Sequence, residues 1–117
     1  MTIKDFFNAV GGSYEEALGR LMDEKRILKY LKKFTQTADY ENMLNAIAAE
    51  DWELAFRSSH NLKGMALNLS LGKLAVSSSA LCETMRHGKP TEDISGLMKE
   101  VAADYVRTLD MIGQVEG

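Results

Sequence analysis

A chain of 117 residues, 45% hydrophobic and 26% charged, can bury a real core, which excludes general disorder and any pairing of a cofactor domain with a substrate domain. Fourteen basic and seventeen acidic residues leave a net charge of −3, so composition shows no bias towards nucleic acid or an anionic membrane. One cysteine, Cys82, excludes an internal disulfide framework and a thiolate zinc cluster and fits a reducing compartment.

The opening stretch MTIKDFFNAVGGS lacks the apolar core of roughly 7–15 residues that a secretory signal needs. Nowhere do about 18 apolar residues run together, so no segment should span a bilayer. A soluble, cytoplasmic protein is the expectation. Pro90 is the only proline, and long stretches with 3.6-residue periodicity read as helix. No alternating run of β-branched residues suggests a strand.

Ile3 to Val10 is a short amphipathic segment ending at Gly11-Gly12. Ser13 with Glu16 three residues on is a capping-box pattern opening a helix through about Met22. Asp23 caps the next, whose stripe is Ile27, Leu28, Leu31 and Phe34. Beyond Ala38 the stripe is Tyr40, Met43, Leu44 and Ile47, which at 100° per residue points roughly 140–220° away from the first. No straight helix buries both, so a break is predicted near 36–38, with Thr37 or Asp39 as the new cap. Asp51 caps a helix from Trp52 to about Ser70. Another runs from Gly72 to His87 and stops at Gly88, with Pro90 just beyond. Thr91, Glu92 and Asp93 supply a cap and an acidic first turn for the last helix, with its seam of Ile94, Met98, Val101, Tyr105, Leu109 and Ile112. The seven methionines read as core filler. The expected fold is all-α: a single domain over 1–117, an antiparallel four-helix bundle over 23–115 with short accessory helices over 1–22.

The helix from Trp52 departs from a simple amphipathic pattern. With Trp52 at 0°, Leu54, Ala55, Leu62, Met65, Ala66 and Leu69 fall between about 200° and 320°, the core face. His60 falls near 80°, on the opposite side. Lys63 and Gly64 flank it one turn on, since residues three and four apart share a face. Phe56 and Leu67 lie in line with it. A mid-helix glycine costs about 0.5–1 kcal/mol relative to alanine, and here it strips the side chain next to the histidine. Two large apolar groups on that face suit a docking surface. Neutral imidazole, with an ordinary pKa near 6.5, is a competent nitrogen nucleophile, and a lysine beside it offers a cation to an anion on the ring. Taken singly, each feature has a plainer account. An exposed histidine is usually just a surface residue. Gly64 could serve helix packing, and the N-terminal segment could cover Phe56 and Leu67.

Ser59-His60-Asn61-Leu62-Lys63-Gly64, followed by Leu67-Asn68-Leu69, resembles the signature of histidine-containing phosphotransfer (HPt) domains, an H-x-x-K-G helix followed by an N-L-G-like turn. Asp51-Trp52 ahead of the histidine, Leu74 and Leu81 after it, and Phe34 agree with that resemblance, which covers roughly residues 23–88. Ser70 stands where such domains usually carry glycine, with the nearest glycine displaced to Gly72. The resemblance implies that His60 is the phosphoacceptor, exchanging a phosphoryl group with a receiver-domain aspartate or a histidine kinase. It implies that Lys63 neutralises phosphate oxygens, that Gly64 lets receiver loops approach, and that Phe56 and Leu67 form the centre of a transient interface. Family members often place a polar side chain of the following helix near the histidine; Ser78, Ser79, Cys82 and Arg86 are the candidates. Mg²⁺ is expected on the partner receiver and no cofactor on this chain, which has no G-x-x-x-x-G-K-[ST] loop for ATP and no metal-ligand spacing. The expected protein is a monomeric phosphoryl carrier without autonomous kinase activity, binding neither nucleic acid nor membrane. The competing reading is a helical interaction module that uses the face around Phe56 and Leu67 for binding alone.

Overall fold

The computed structural model describes residues 1–115, and every regular element among them is helical. Seven helices follow in order: α1 (Ile3–Ala9), α2 (Tyr14–Leu21), α3 (Glu24–Phe34), α4 (Asp39–Ala48), α5 (Trp52–Asn68), α6 (Gly72–Thr84) and α7 (Ser95–Gln114). Four begin on a short polar side chain that accepts a leading amide. Thr2 takes the N–H of Asp5, Ser13 that of Glu16, Asp23 that of Arg26 and Asp51 that of Leu54, at 2.8–3.2 Å.

The expected break falls between α3 and α4, but neither Thr37 nor Asp39 caps the new helix. Ala38 is the N-cap and makes no side-chain bond. Thr37 instead donates its hydroxyl to the Phe34 carbonyl at 2.9 Å, closing α3. Asp39 is already helical, and its carboxylate accepts from the Asn61 amide at 3.4 Å. The break lets both stripes reach α7. Tyr105 packs against Phe34 of α3 with ring centroids 5.9 Å apart and stacks on Tyr40 of α4 at 4.0 Å. Helices α3 and α4 thus act as one kinked member of a bundle whose others are α5, α6 and α7. Within it α5 packs between α4 and α6, and α6 against α7. The molecule measures 41 × 20 × 20 Å.

Two helix ends differ from expectation. The α6 helix stops at Thr84 rather than His87, because its last turn tightens into i→i+3 bonds, Met85 to Cys82 and Arg86 to Glu83. His87 therefore lies in the following turn, not on the helix terminus. At α7 the helix begins at Ser95 behind Ile94, so Thr91, Glu92 and Asp93 precede it and its first turn carries no acid. Asp93 still accepts the Ser95 N–H at 2.9 Å, and that bond holds its carboxyl below the usual range.

Fully buried side chains include Phe6, Phe7, Ile27, Phe34, Met43, Leu62, Leu74 and Val101. Each contributes about 1.5–3 kcal/mol by leaving water. Met43 and Met85 are core, whereas Met22 is 72% exposed. Serines complete the interior where helices come close. Ser59 and Ser78 have no exposed surface, yet each returns its hydroxyl to its own helix, to the carbonyls of Phe56 and Leu74 at 2.9 and 2.6 Å.

The accessory helices dock on the α5–α6 turn and on α7. Ser70 sits in that turn with φ of +54°, a left-handed conformation that serine tolerates less well than glycine. Its hydroxyl compensates by accepting the Ser13 N–H at 2.8 Å. That amide would otherwise donate to the Glu16 carboxylate, the second half of the Ser13–Glu16 capping box. Ser70→Ala should therefore cost about 1–2 kcal/mol in urea unfolding, losing the bond while keeping the strain. Ser70→Gly loses the same bond but relieves the backbone, and should be milder by about 1 kcal/mol. Equal losses would show that the left-handed geometry carries no penalty.

Candidate functional site

The α5 helix carries a continuous exposed edge between the neighbours that flank it. Ala55, Ser58, Ser59, Leu62 and Ala66 are buried, and His60 is exposed on the outward side. Leu54, expected on the core face, is 40% exposed because it lies at the margin of that arc. Ser58 and Ser59 are buried in its place. Asn61 leans towards α4 through its bond to Asp39. Helices α1 and α2 lie elsewhere: α1 packs on α2 and α7, and Arg20 of α2 reaches only the carboxyl end of α5. The imidazole is left uncovered.

Its immediate surroundings are partly those expected. Gly64 has open space around it; a Cβ built there meets nothing within 4 Å, so helix packing does not explain the residue. Lys63 is half-buried and Leu67 is 53% exposed. Phe56 is not the free apolar group expected: it is half-buried, with one edge against the core. Its ring instead supports the histidine. His60 stacks on it with centroids 5.9 Å apart and planes inclined by 28°. The Arg86 guanidinium also lies over the same ring, 5.3 Å from its centroid.

Of the four candidates, Arg86, in the turn that follows α6, is thus the one whose contact reaches the ring that supports the histidine. Ser78 is buried and bonded inward, and Cys82 is buried with its sulfur 3.9 Å from the Phe56 carbonyl. Ser79 is half-buried beside Leu67 and Val76 along a shallow depression.

Sequence reasoning missed Glu83. It pairs with Arg86 through contacts of 3.0–3.1 Å, and those hydrogen bonds hold its carboxyl below the usual range, helped by the nearby charges of Arg86, Lys63 and His87. The signal was present in the i,i+3 spacing of Glu83 and Arg86, but only the pairing of α5 with α6 sets the carboxylate near Lys63. The site therefore holds Lys63 and Arg86 with one carboxylate, rather than a lone lysine. No group of three or more His, Cys, Asp or Glu among the described residues could hold a metal ion. Among the described residues no helix is long and apolar enough to cross a membrane.

Arranged this way, the face can offer a ring nitrogen to an incoming electrophile and two cations to an anion placed on it. Val76, 73% exposed on α6, extends the apolar edge beyond Leu67. Comparison with curated proteins and with solved structures finds no match. The family model of the Hpt domain, however, matches residues 29–115, from the middle of α3 through α7, and leaves α1, α2 and the start of α3 outside. That span is well over half of the chain, and the chain accordingly belongs to the Hpt domain family, which implies histidine phosphotransfer in two-component signalling.

Proposed function

We propose that His60 is the phosphoacceptor of a phosphorelay carrier that exchanges its phosphoryl group with receiver-domain aspartates, or takes it from a histidine kinase. The observation that carries this reading is the uncovered imidazole on a helix whose next turn is bare at Gly64. In the accepting step an imidazole nitrogen attacks the phosphorus of an aspartyl phosphate in line. The P–N bond forms as the P–O bond to the acyl carbon's oxygen breaks, and the aspartate leaves as carboxylate with the bonding pair. The ring keeps its proton on the other nitrogen. The reverse step returns the group to a second aspartate, so no ATP is consumed.

Such a transfer needs alignment and charge neutralisation more than covalent machinery. The receiver and its Mg²⁺ bring most of the neutralisation, and this chain brings no cofactor. Lys63 supports the phosphate oxygens, while Phe56 holds the ring plane. Arg86 sits where it can exchange Glu83 for the phosphoryl group once the histidine is charged. Leu67 lies under the partner at the interface. The protein does not turn over a substrate on its own.

The test is incubation with receivers charged by acetyl phosphate, scoring acid-labile, base-stable phosphate on this chain. Transfer from at least one receiver is expected; no label from any receiver would favour the interaction-module reading. Gly64 separates reactivity from access. Gly64→Leu should leave labelling by the small donor phosphoramidate within about twofold and slow transfer from a receiver at least tenfold. Gly64→Ala should stabilise the bundle by about 0.5–1 kcal/mol, since the added methyl meets nothing and alanine is the better helix former. Equal transfer rates in Gly64→Leu and the parent would remove the steric role.

A further inference from the structure

Helix α3 presents a surface that phosphotransfer does not use. With Glu24 at 0°, Lys25, Arg26, Lys29, Lys32 and Lys33 all fall between about 80° and 200°, opposite Ile27, Leu31 and Phe34. The three apolar residues are at most 1% exposed, and the five cations are exposed. Among the described residues none of the five pairs with a carboxylate; the one acid of α3, Glu24, accepts the Tyr14 hydroxyl instead. The rest of the chain holds sixteen acids and nine bases, so the positive charge is local.

The edge of this stripe borders a cavity of about 390 Å³ between α2, α3 and α5. Its floor is apolar, made by Leu21, Phe34, Met65 and Leu69. Arg20, Lys33 and Tyr30 stand at its rim, and no carboxylate lines it. Arg20 is fixed there by donating to the Leu67 and Asn68 carbonyls at 2.6 and 2.9 Å, and the Lys33 ammonium lies 5.4 Å from the Tyr30 ring centroid. A mostly apolar cavity with convergent cations selects a ligand of matching design.

We propose that α3 and this cavity bind an acidic protein segment that inserts one apolar side chain between Tyr30 and Met65 and sets carboxylates against Arg20, Lys29 and Lys33. A bilayer is the poorer fit, because the apolar face of α3 is spent on the core and nothing remains to insert. A nucleic acid longer than the helix, about 16 Å, would run onto an acidic surface. The site stands apart from His60 and does not depend on its role.

The probe is a fluorescent peptide of about ten residues, glutamates around a central leucine, titrated against the full chain by anisotropy and by amide NMR shifts. Binding should perturb Tyr30, Lys33, Met65 and Leu69 and weaken at least fivefold between about 50 and 300 mM salt. Alanine in place of the peptide's leucine should cost about tenfold. Lys29→Glu with Lys33→Glu should cost at least tenfold while urea unfolding stays unchanged, and His60→Gln should bind as the parent does. Equal binding of the alanine peptide, indifference to the paired lysine changes, or preference for phosphatidylglycerol vesicles or a short single-stranded oligonucleotide would each overturn the proposal. Failure here leaves the labelling of His60 untouched, so the two readings fall separately.

Discussion

His60→Gln should abolish acid-labile phosphate on the protein, a loss of at least a hundredfold, with the unfolding free energy within about 0.5 kcal/mol of the parent. The chemical half follows from the lone pair: a glutamine amide has no nucleophilic nitrogen at neutral pH, whereas neutral imidazole does. The structural half follows from exposure. The ring makes no hydrogen bond among the described residues and contributes only its stacking on Phe56, and surface changes of that kind are usually small. Glutamine is moreover at least as good a helix former as histidine. His87→Gln is the matched control and should keep full labelling, because His87 lies in the turn after α6. Label retained by His60→Gln and lost in His87→Gln would move the phosphoacceptor to the wrong end of α6 and overturn the assignment.

The second large effect concerns a residue with no chemistry at all. Gly72→Ala should destabilise the fold by about 3 kcal/mol or more. A Cβ at Gly72 would lie 1.9 Å from the Gly11 carbonyl oxygen and 2.6 Å from its carbon, both backbone atoms that cannot rotate aside. At the facing position, a Cβ on Gly12 would lie 1.7 Å from the Ser70 carbonyl oxygen. The two glycines let the α1–α2 loop cross the α5–α6 turn backbone to backbone. Separating them strains or breaks the Lys73 N–H bond to the Val10 carbonyl, 3.0 Å, and the Ser13–Ser70 bond. Overpacking typically costs about 1–3 kcal/mol and each lost bond about 1. Gly64→Ala, in the same chain and with the same added methyl, moves stability the other way. If urea titration gave Gly72→Ala and Gly64→Ala the same midpoint, the close crossing would not exist in solution.

These two glycines show why parts of the fold were illegible in one dimension. Gly11-Gly12 reads as a turn and Gly72 as a displaced helix-turn glycine, and each reading is locally sound. That they meet depends on contacts between positions about sixty residues apart, which no local pattern records. The same holds for Ser70. As an isolated departure from an N-L-G-like turn it looks like a defect, yet its hydroxyl is the partner of Ser13. Caps are legible where the capping side chain is its own signal, as at Ser13, Asp23 and Asp51. At Thr37, Asp39 and Thr91–Asp93 the same signal misleads, because α4 and α7 begin behind Ala38 and Ile94, which have no side chain that can cap.

The pattern of the candidate site divides the same way. The linear order alone places His60, Lys63, Gly64 and Leu67 on one edge of a helix, because 3.6 residues per turn is a property of the backbone whatever surrounds it. The Hpt domain assignment over residues 29–115 rests on sequence as well. Three-dimensional packing alone turned Phe56 from an exposed patch into the plate beneath the histidine, selected Arg86 among the four candidates, and brought Glu83 within reach of the charge on Lys63. Periodicity tells which way a side chain points from its own helix axis. What it meets there is set by how two helices are rotated and offset against each other, and that depends on the volumes of buried residues such as Ser59, Leu62 and Ser78 on both partners.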